Sequence, residues 1–163
     1  MIYIKKDFLP KEVFQEIKNI LTSDTFPWYY RSNMTNIKGY EERLYFLHNF
    51  YVNNQPNSEH YVLIQECLKK LNCNSLIHAR ANLSLNFKER YYCNWHTDRD
   101  FDCKVAIFYI TQNNGYTEIK NDDKTIKINC EENKIVVFDS KHFHRMVSQT
   151  NTENRIVINL NYI

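Results

Sequence analysis

Two amphipathic stretches followed by roughly eight short strand-like runs predict a mainly β fold with N-terminal helices. The expected core is a double-stranded β-helix, or jelly roll, with the helices packed on one sheet. Three observations carry this. Two apolar stripes at helical spacing fall before Asn74; from Leu76 onward the period switches to alternation, with Asn, Asp and Gly turns between runs. The last run, 155–162, has sharply divided faces. Ile156, Ile158, Leu160 and Tyr162 lie on one, and Arg155, Asn159 and Asn161 share the other with Val157 as its one apolar member. The length of 163 residues suits one domain, read as helical support over 1–74 and a jelly-roll core over 75–163.

In chain order, 2–4 starts a short strand and Pro10 suits the first turn of a helix. Val13, Phe14, Ile17, Ile20 and Leu21 form one face of that helix and belong to the core. The aromatic run 25–30 and the apolar run 44–52 have strand character, and the polar stretch around Gly39 between them reads as a loop. Ser58 is placed to cap a second helix whose stripe is Tyr61, Ile64, Leu68 and Leu71. Over 76–87, Ile77, Ala79, Ala81, Leu83, Leu85 and Phe87 alternate with His78, Arg80, Asn82, Ser84 and Asn86. Residues 91–98 read as the next strand, and 105–111 is apolar on both faces, as a central strand is. Asn113-Asn114-Gly115 predicts a type I′ hairpin turn, and Asn121-Asp122-Asp123 a second turn among the short strands 116–119, 125–128 and 135–138.

Composition narrows the function. Apolar content of 43% and charged content of 25% are globular values, and a net charge of +2 with scattered Lys and Arg is too mild for a nucleic-acid footprint. Two glycines, Gly39 and Gly115, exclude a phosphate-cradling loop or a dinucleotide fingerprint. Five cysteines without a C-x-x-C pair read as reduced thiols of a cytosolic protein. With no signal-like opening run and no 18-residue apolar span, no membrane partner is expected.

The chemistry centres on His96-Thr97-Asp98. In a strand, His96 and Asp98 share a face, so one imidazole and one carboxylate can hold a single metal ion, with a third ligand from elsewhere. Two histidines and a carboxylate on one side of a metal leave the opposite positions open, which suits non-haem Fe(II) oxygenases. His142 and His144 share a strand face, so the residues alone leave either as the distal ligand.

The ordered set His96-x-Asp98, His144 and Arg155, with steps of 46 (98 to 144) and 11 (144 to 155), resembles the Fe(II)- and 2-oxoglutarate-dependent dioxygenases on their prolyl-4-hydroxylase-like branch. The run Phe138-Asp139-Ser140, then His144, then 155–162, is similar to small phage and microbial oxygenases; a cytoplasmic location is expected, or the host cytoplasm if the chain is of viral origin. The resemblance implies His96, Asp98 and His144 as catalytic metal ligands, favouring His144 over His142. It implies Arg155 on the distal carboxylate of 2-oxoglutarate, assisted by the Tyr109 hydroxyl, with Asn82 and Asn159 lining the same pocket. Fe(II), 2-oxoglutarate and dioxygen would then act together to hydroxylate an aliphatic C–H, with succinate and CO2 released. A peptidyl, prolyl-like side chain ranks first as substrate; a small metabolite, a nucleobase, or a non-catalytic jelly-roll binding module are the alternatives. The nucleic-acid branch carries a second Arg soon after the cosubstrate Arg, and none follows Arg155. Asp98, in place of a small residue, argues against halogenation.

Each residue has a plainer reading. His48, His60 and His78 read as ordinary polar or part-buried histidines, Trp95 as packing, and Tyr109 as a core aromatic. Arg80 either faces the pocket or pairs with an acid.

Overall fold

The computed structural model describes residues 1–31, 45–86 and 88–163. In chain order the elements are β1 (Tyr3–Lys5), α1 (Lys11–Leu21), β2 (Tyr29–Arg31), β3 (Tyr45–Val52), β4 (Gln55–Pro56), a 3-10 turn (Glu59–Ile64), α2 (Gln65–Lys70), β5 (Leu76–Leu85), β6 (Lys104–Tyr109), β7 (Tyr116–Asn121), β8 (Lys124–Asn129), β9 (Lys134–Asp139), β10 (His144–Val147) and β11 (Asn154–Tyr162). The larger sheet runs β1-β9-β6-β11-β5-β3-β2, with β4 on β3, and the smaller runs β10-β7-β8; every pairing is antiparallel. The front half is therefore more than helical support, since it supplies four strands. The loop expected around Gly39, the strand start at Leu44 and the inward position of Phe87 lie outside the described residues.

Two apolar layers follow from the alternation. Ala106, Phe108, Ile156, Ile158 and Leu160 point behind the larger sheet, where Phe14, Ile17 and Leu21 of α1 cover them. The Phe14 and Phe8 rings stand edge-on to Phe108 at 6.0 and 5.6 Å. Each of these buried side chains contributes about 1.5–3 kcal/mol, so this layer fixes the helix to the sheet. On the opposite face Val105, Ile107, Tyr109, Val136, Phe138 and Val157 meet Ile119 and Ile128 of the smaller sheet. The last strand behaves as its pattern predicts, with its apolar face buried against the helix and Arg155 and Asn161 buried on the other side. Among the described residues no helix is long and apolar enough to cross a membrane.

Four local expectations are corrected. Residues 91–98 do not form a strand; only two isolated bridges, Tyr92 to Val147 and His96 to His144, tie this segment alongside β10. Ser58 does not cap the second helix, because its hydroxyl bonds His48 Nε2 at 2.8 Å, and the helix begins as the 3-10 turn. The Asn113-Asn114-Gly115 turn is not a type I′ hairpin: β6 and β7 belong to different sheets, and neither Asn114 nor Gly115 has positive φ. Glycine is needed at 115 for space, since a Cβ there would lie 2.8 Å from Asn113 Oδ1 and 3.0 Å from Val147 O and Gln149 N. The tight turn with two positive φ values is instead Asn53-Asn54, at 53° and 60°, between β3 and β4. Finally, His142 does not share β10 with His144; it sits in the preceding turn.

Candidate metal centre

Three parts of the chain meet where the two sheets diverge: the 94–98 segment, the start of β10, and the inner face of β11. His96 and His144 exchange backbone hydrogen bonds, His96 N to His144 O at 3.1 Å and His144 N to His96 O at 2.9 Å. That bridge sets the two rings 4.4 Å apart between centroids. Each ring is then oriented by the same local device. His96 Nδ1 lies 3.1 Å from Asn94 O, and His144 Nδ1 lies 3.2 Å from His142 O. A carbonyl only accepts, so both Nδ1 atoms carry the proton and both Nε2 lone pairs are available. Both Nε2 atoms face Asp98 Oδ1, at 3.8 Å from His96 and 3.5 Å from His144. The three donor atoms lie within 4.8 Å of one another. Phe138 packs edge-on against the His144 ring at 5.0 Å.

Asp98 is held from its other side. Asn161 Nδ2 donates to Asp98 Oδ2 at 2.8 Å, and Arg99 Nε donates to Asn161 Oδ1 at 3.3 Å. Burial alone would raise the Asp98 carboxyl, but His144, Asn161 and His96 together hold it well below the usual carboxylate range. His96 is lowered as well: burial first, then the neighbouring His144, favours the neutral ring. A neutral His96 ring and an ionised Asp98 are the protonation states that metal ligation requires of these two residues. The donor set, its tautomers and its second layer of hydrogen bonds fit a divalent iron bound on one face.

A cavity of about 90 Å³ opens from His96 and His144, with room for on the order of six to nine waters. Arg155 lies in its wall, 4% exposed. Its Nε donates to Cys130 Sγ at 3.0 Å and an Nη to Thr117 Oγ1 at 3.2 Å. Among the described residues no carboxylate pairs with it. A buried guanidinium without a counter-charge is costly, so this end of the cavity is built for an anion. Asn82 and Asn159 also line the cavity, and the Oδ1 of each is buried without a hydrogen-bond partner among the described residues. Ile107, Met146 and Val157 make the wall between them apolar.

No protein-family model and no curated protein sequence matches the chain. Solved structures do. An oxidoreductase of the 2OG-Fe(II) oxygenase family from Burkholderia pseudomallei superposes with a TM-score of 0.76 at 10% identity, covering 99% of this chain and 84% of that one. A Pseudomonas putida prolyl-4-hydroxylase gives 0.73 at 13% identity, covering 99% and 91%. A prolyl hydroxylase from Trichoplax adhaerens, in complex with a peptide fragment of the hypoxia inducible factor oxygen degradation domain, gives 0.71 at 15% identity, covering 99% and 83%. The chain has the fold of these oxygenases.

Within this oxygenase fold, the structure brings His96, Asp98 and His144 together and puts Arg155, Asn82 and Asn159 on one cavity. It separates His142, whose Nδ1 bonds Asp139 O and whose Nε2 lies 3.4 Å from Asn121 Oδ1. Tyr109 is fully buried and stands one side chain behind the cavity, its hydroxyl donating to Thr117 Oγ1 at 2.8 Å. Thr117, which no reading of the sequence singled out, therefore accepts from both Tyr109 and Arg155. That leaves its own hydroxyl proton free to point into the cavity. Asn161, which the alternation of the last strand puts on this inner face, bonds Asp98, and Tyr45 is a further lining residue of the cavity that no sequence motif marks. His48 is a satisfied core histidine between Pro27 O and Ser58 Oγ, and Trp95 packs outward under Arg145 and Lys120.

Proposed function

We propose that the protein is an Fe(II)- and 2-oxoglutarate-dependent dioxygenase that hydroxylates an aliphatic C–H of its substrate and releases succinate and CO2. One observation carries the reading: two Nε2 lone pairs and an ionised carboxylate converge beside a cavity that also holds a buried guanidinium with no carboxylate partner among the described residues. His96, Asp98 and His144 would hold the iron, which when bound supplies the activation of dioxygen and the oxidising power for C–H cleavage.

The chain's own residues do the rest. Backbone carbonyls 94 and 142 keep the Nδ1 protons in place, so both rings present Nε2. Asn161 fixes the rotation of the Asp98 carboxylate. Arg155 is shaped to take the far carboxylate of 2-oxoglutarate with its two-pronged edge, and the Thr117 hydroxyl adds a donor beside it. Tyr109 acts through Thr117 by occupying one of its lone pairs. Ile107, Met146 and Val157 exclude water from the cavity between these groups.

The substrate we propose first is a peptidyl, prolyl-like side chain. Two of the similar folds are prolyl hydroxylases, one of them bound to a peptide, which supports this choice. The test is succinate release with added Fe(II) and 2-oxoglutarate, alongside mass spectrometry of a proline-containing peptide pool for gain of one oxygen atom. Oxygen-dependent succinate formation that disappears in Asp98→Ala is expected. Turnover undiminished in Asp98→Ala would contradict the ligand assignment, and binding of 2-oxoglutarate with no turnover would make the protein a binding module.

A further inference from the structure

We infer that the substrate carries a carboxylate close to the oxidised C–H, and that Arg80 and Arg99 seat it. The inference rests on the oxygenase reading above and adds a chemical class of substrate to it. Arg80 lies on the inner face of β5, opposite Asn159 of β11, and lines the same cavity as His96. Arg99 follows Asp98 and spends only its Nε on Asn161, which is the register partner of His78, one inward position along β5 from Arg80. Both guanidiniums act on the His78 imidazole, which pairs in register with Asn161 beside the metal centre.

Both are partly buried, and among the described residues neither is paired with an acid. Of the carboxylates near in sequence, Asp100 is exposed and bonds neither guanidinium among the described residues, and the other two are committed elsewhere. Asp98 turns Oδ1 to the two imidazoles and Oδ2 to Asn161, and Asp102 pairs with Lys141 at 2.8 Å. His78 registers the excess of positive charge: burial first, then Arg80 and Arg99, push it down to about 4. Two partly buried cations with no acid partner among the described residues lose hydration without compensation, which an arriving anion would offset. The cosubstrate already has its guanidinium in Arg155, on the other side of Asn82 and Asn159. Guanidinium edges match a carboxylate in two-pronged fashion.

The experiment uses full-length protein loaded with Mn(II) and saturating 2-oxoglutarate under argon, so that no turnover occurs. It is incubated with a pool of the standard free L-amino acids, their primary amides, and N-acetylated proline dipeptide amides bearing Asp, Glu, Asn or Gln. Phosphoserine and AMP are included, and retained compounds are identified by mass spectrometry after ultrafiltration. Acids should be retained over their matched amides by about tenfold, the discrimination typical of a charge-assisted hydrogen bond. The free acids and the blocked acidic dipeptides separate an amino-acid substrate from an acidic peptide. Arg80→Gln and Arg99→Gln should each erase most of the preference, while Arg80→Lys and Arg99→Lys keep a measurable part of it. Equal retention of acid and amide, retention of nothing, preference for the phosphates, or a preference surviving both Gln variants overturns the inference. The Mn(II) resonance of the same samples reports the parent reading separately. If 2-oxoglutarate leaves that spectrum unchanged, the oxygenase reading fails; if it changes the spectrum and no acid is preferred, only the carboxylate inference fails.

Discussion

Asn161 offers the sharpest perturbation, because its side chain touches the centre without being one of the three proposed ligands. Its Nδ2 donates to Asp98 Oδ2 at 2.8 Å and its Oδ1 accepts from Arg99 Nε at 3.3 Å. Asn161→Ala removes both contacts at a site that is 5% exposed, so water replaces them poorly. A hydrogen bond to a charged group contributes about 1.5–3 kcal/mol, which corresponds to roughly tenfold to a hundredfold in affinity if the bond serves to aim the carboxylate. Loss of outer partners of metal ligands falls in the same range, about 10–100-fold. Asp98 stays ionised in the variant because His144 and His96 still favour its charged form, so the loss should not depend on pH between about 6 and 8. Asn161→Asp keeps an acceptor for Arg99 but turns an oxygen toward Asp98, and should weaken binding at least as much. The assay is calorimetric titration with Mn(II), with circular dichroism as the check on folding. A folded Asn161→Ala protein that binds Mn(II) within about twofold of the parent would refute the orienting role.

The two neighbouring histidines should separate cleanly: His144→Ala abolishes stoichiometric metal binding by calorimetry, whereas His142→Ala, whose ring is turned toward Asp139 O and Asn121, leaves it intact. His78 makes stability depend on pH. It titrates near 4 in the folded protein and near 6.5 when unfolded, so the unfolded chain takes up the proton first; stability from this group is full above pH 6.5 and falls as pH drops toward 4. Allowing for partial exposure, the loss is on the order of 2 kcal/mol, read as a falling urea midpoint that flattens in His78→Gln. Gly115→Ala should destabilise by about 1–3 kcal/mol in urea denaturation, since the added methyl meets two backbone atoms and the Asn113 side chain that bonds the Gly115 amide.

The parts of the fold legible in the sequence are those in which period alone decides burial. Ile156, Ile158, Leu160 and Tyr162 had to face one way, and the helix stripe of Phe14, Ile17 and Leu21 had to meet something apolar. The closeness of His96, Asp98 and His144 was expected only through the family resemblance, since the residues alone left His142 and His144 open. What stayed hidden depends on partners distant in sequence. Ser58 looks like a cap until His48 claims its hydroxyl, and Asn114-Gly115 looks like a hairpin until β6 and β7 join different sheets. The 91–98 segment has strand character yet finds only bridges to β10. Thr117 carries no signal of its own; its role follows from Tyr109 and Arg155 arriving on either side of it. Asn133 is similar: its side chain ties Leu9 N and O at 2.9 and 2.8 Å, 124 residues away in sequence.

The most direct measurement is a crystal structure of the protein grown with Mn(II) and 2-oxoglutarate in the absence of oxygen. The expected result is one metal ion bonded to Nε2 of His96, Nε2 of His144 and a carboxylate oxygen of Asp98, with the far carboxylate of 2-oxoglutarate on the Arg155 guanidinium. Metal bound by any other set of side chains, or a ketoacid lying away from Arg155, would contradict the assignment.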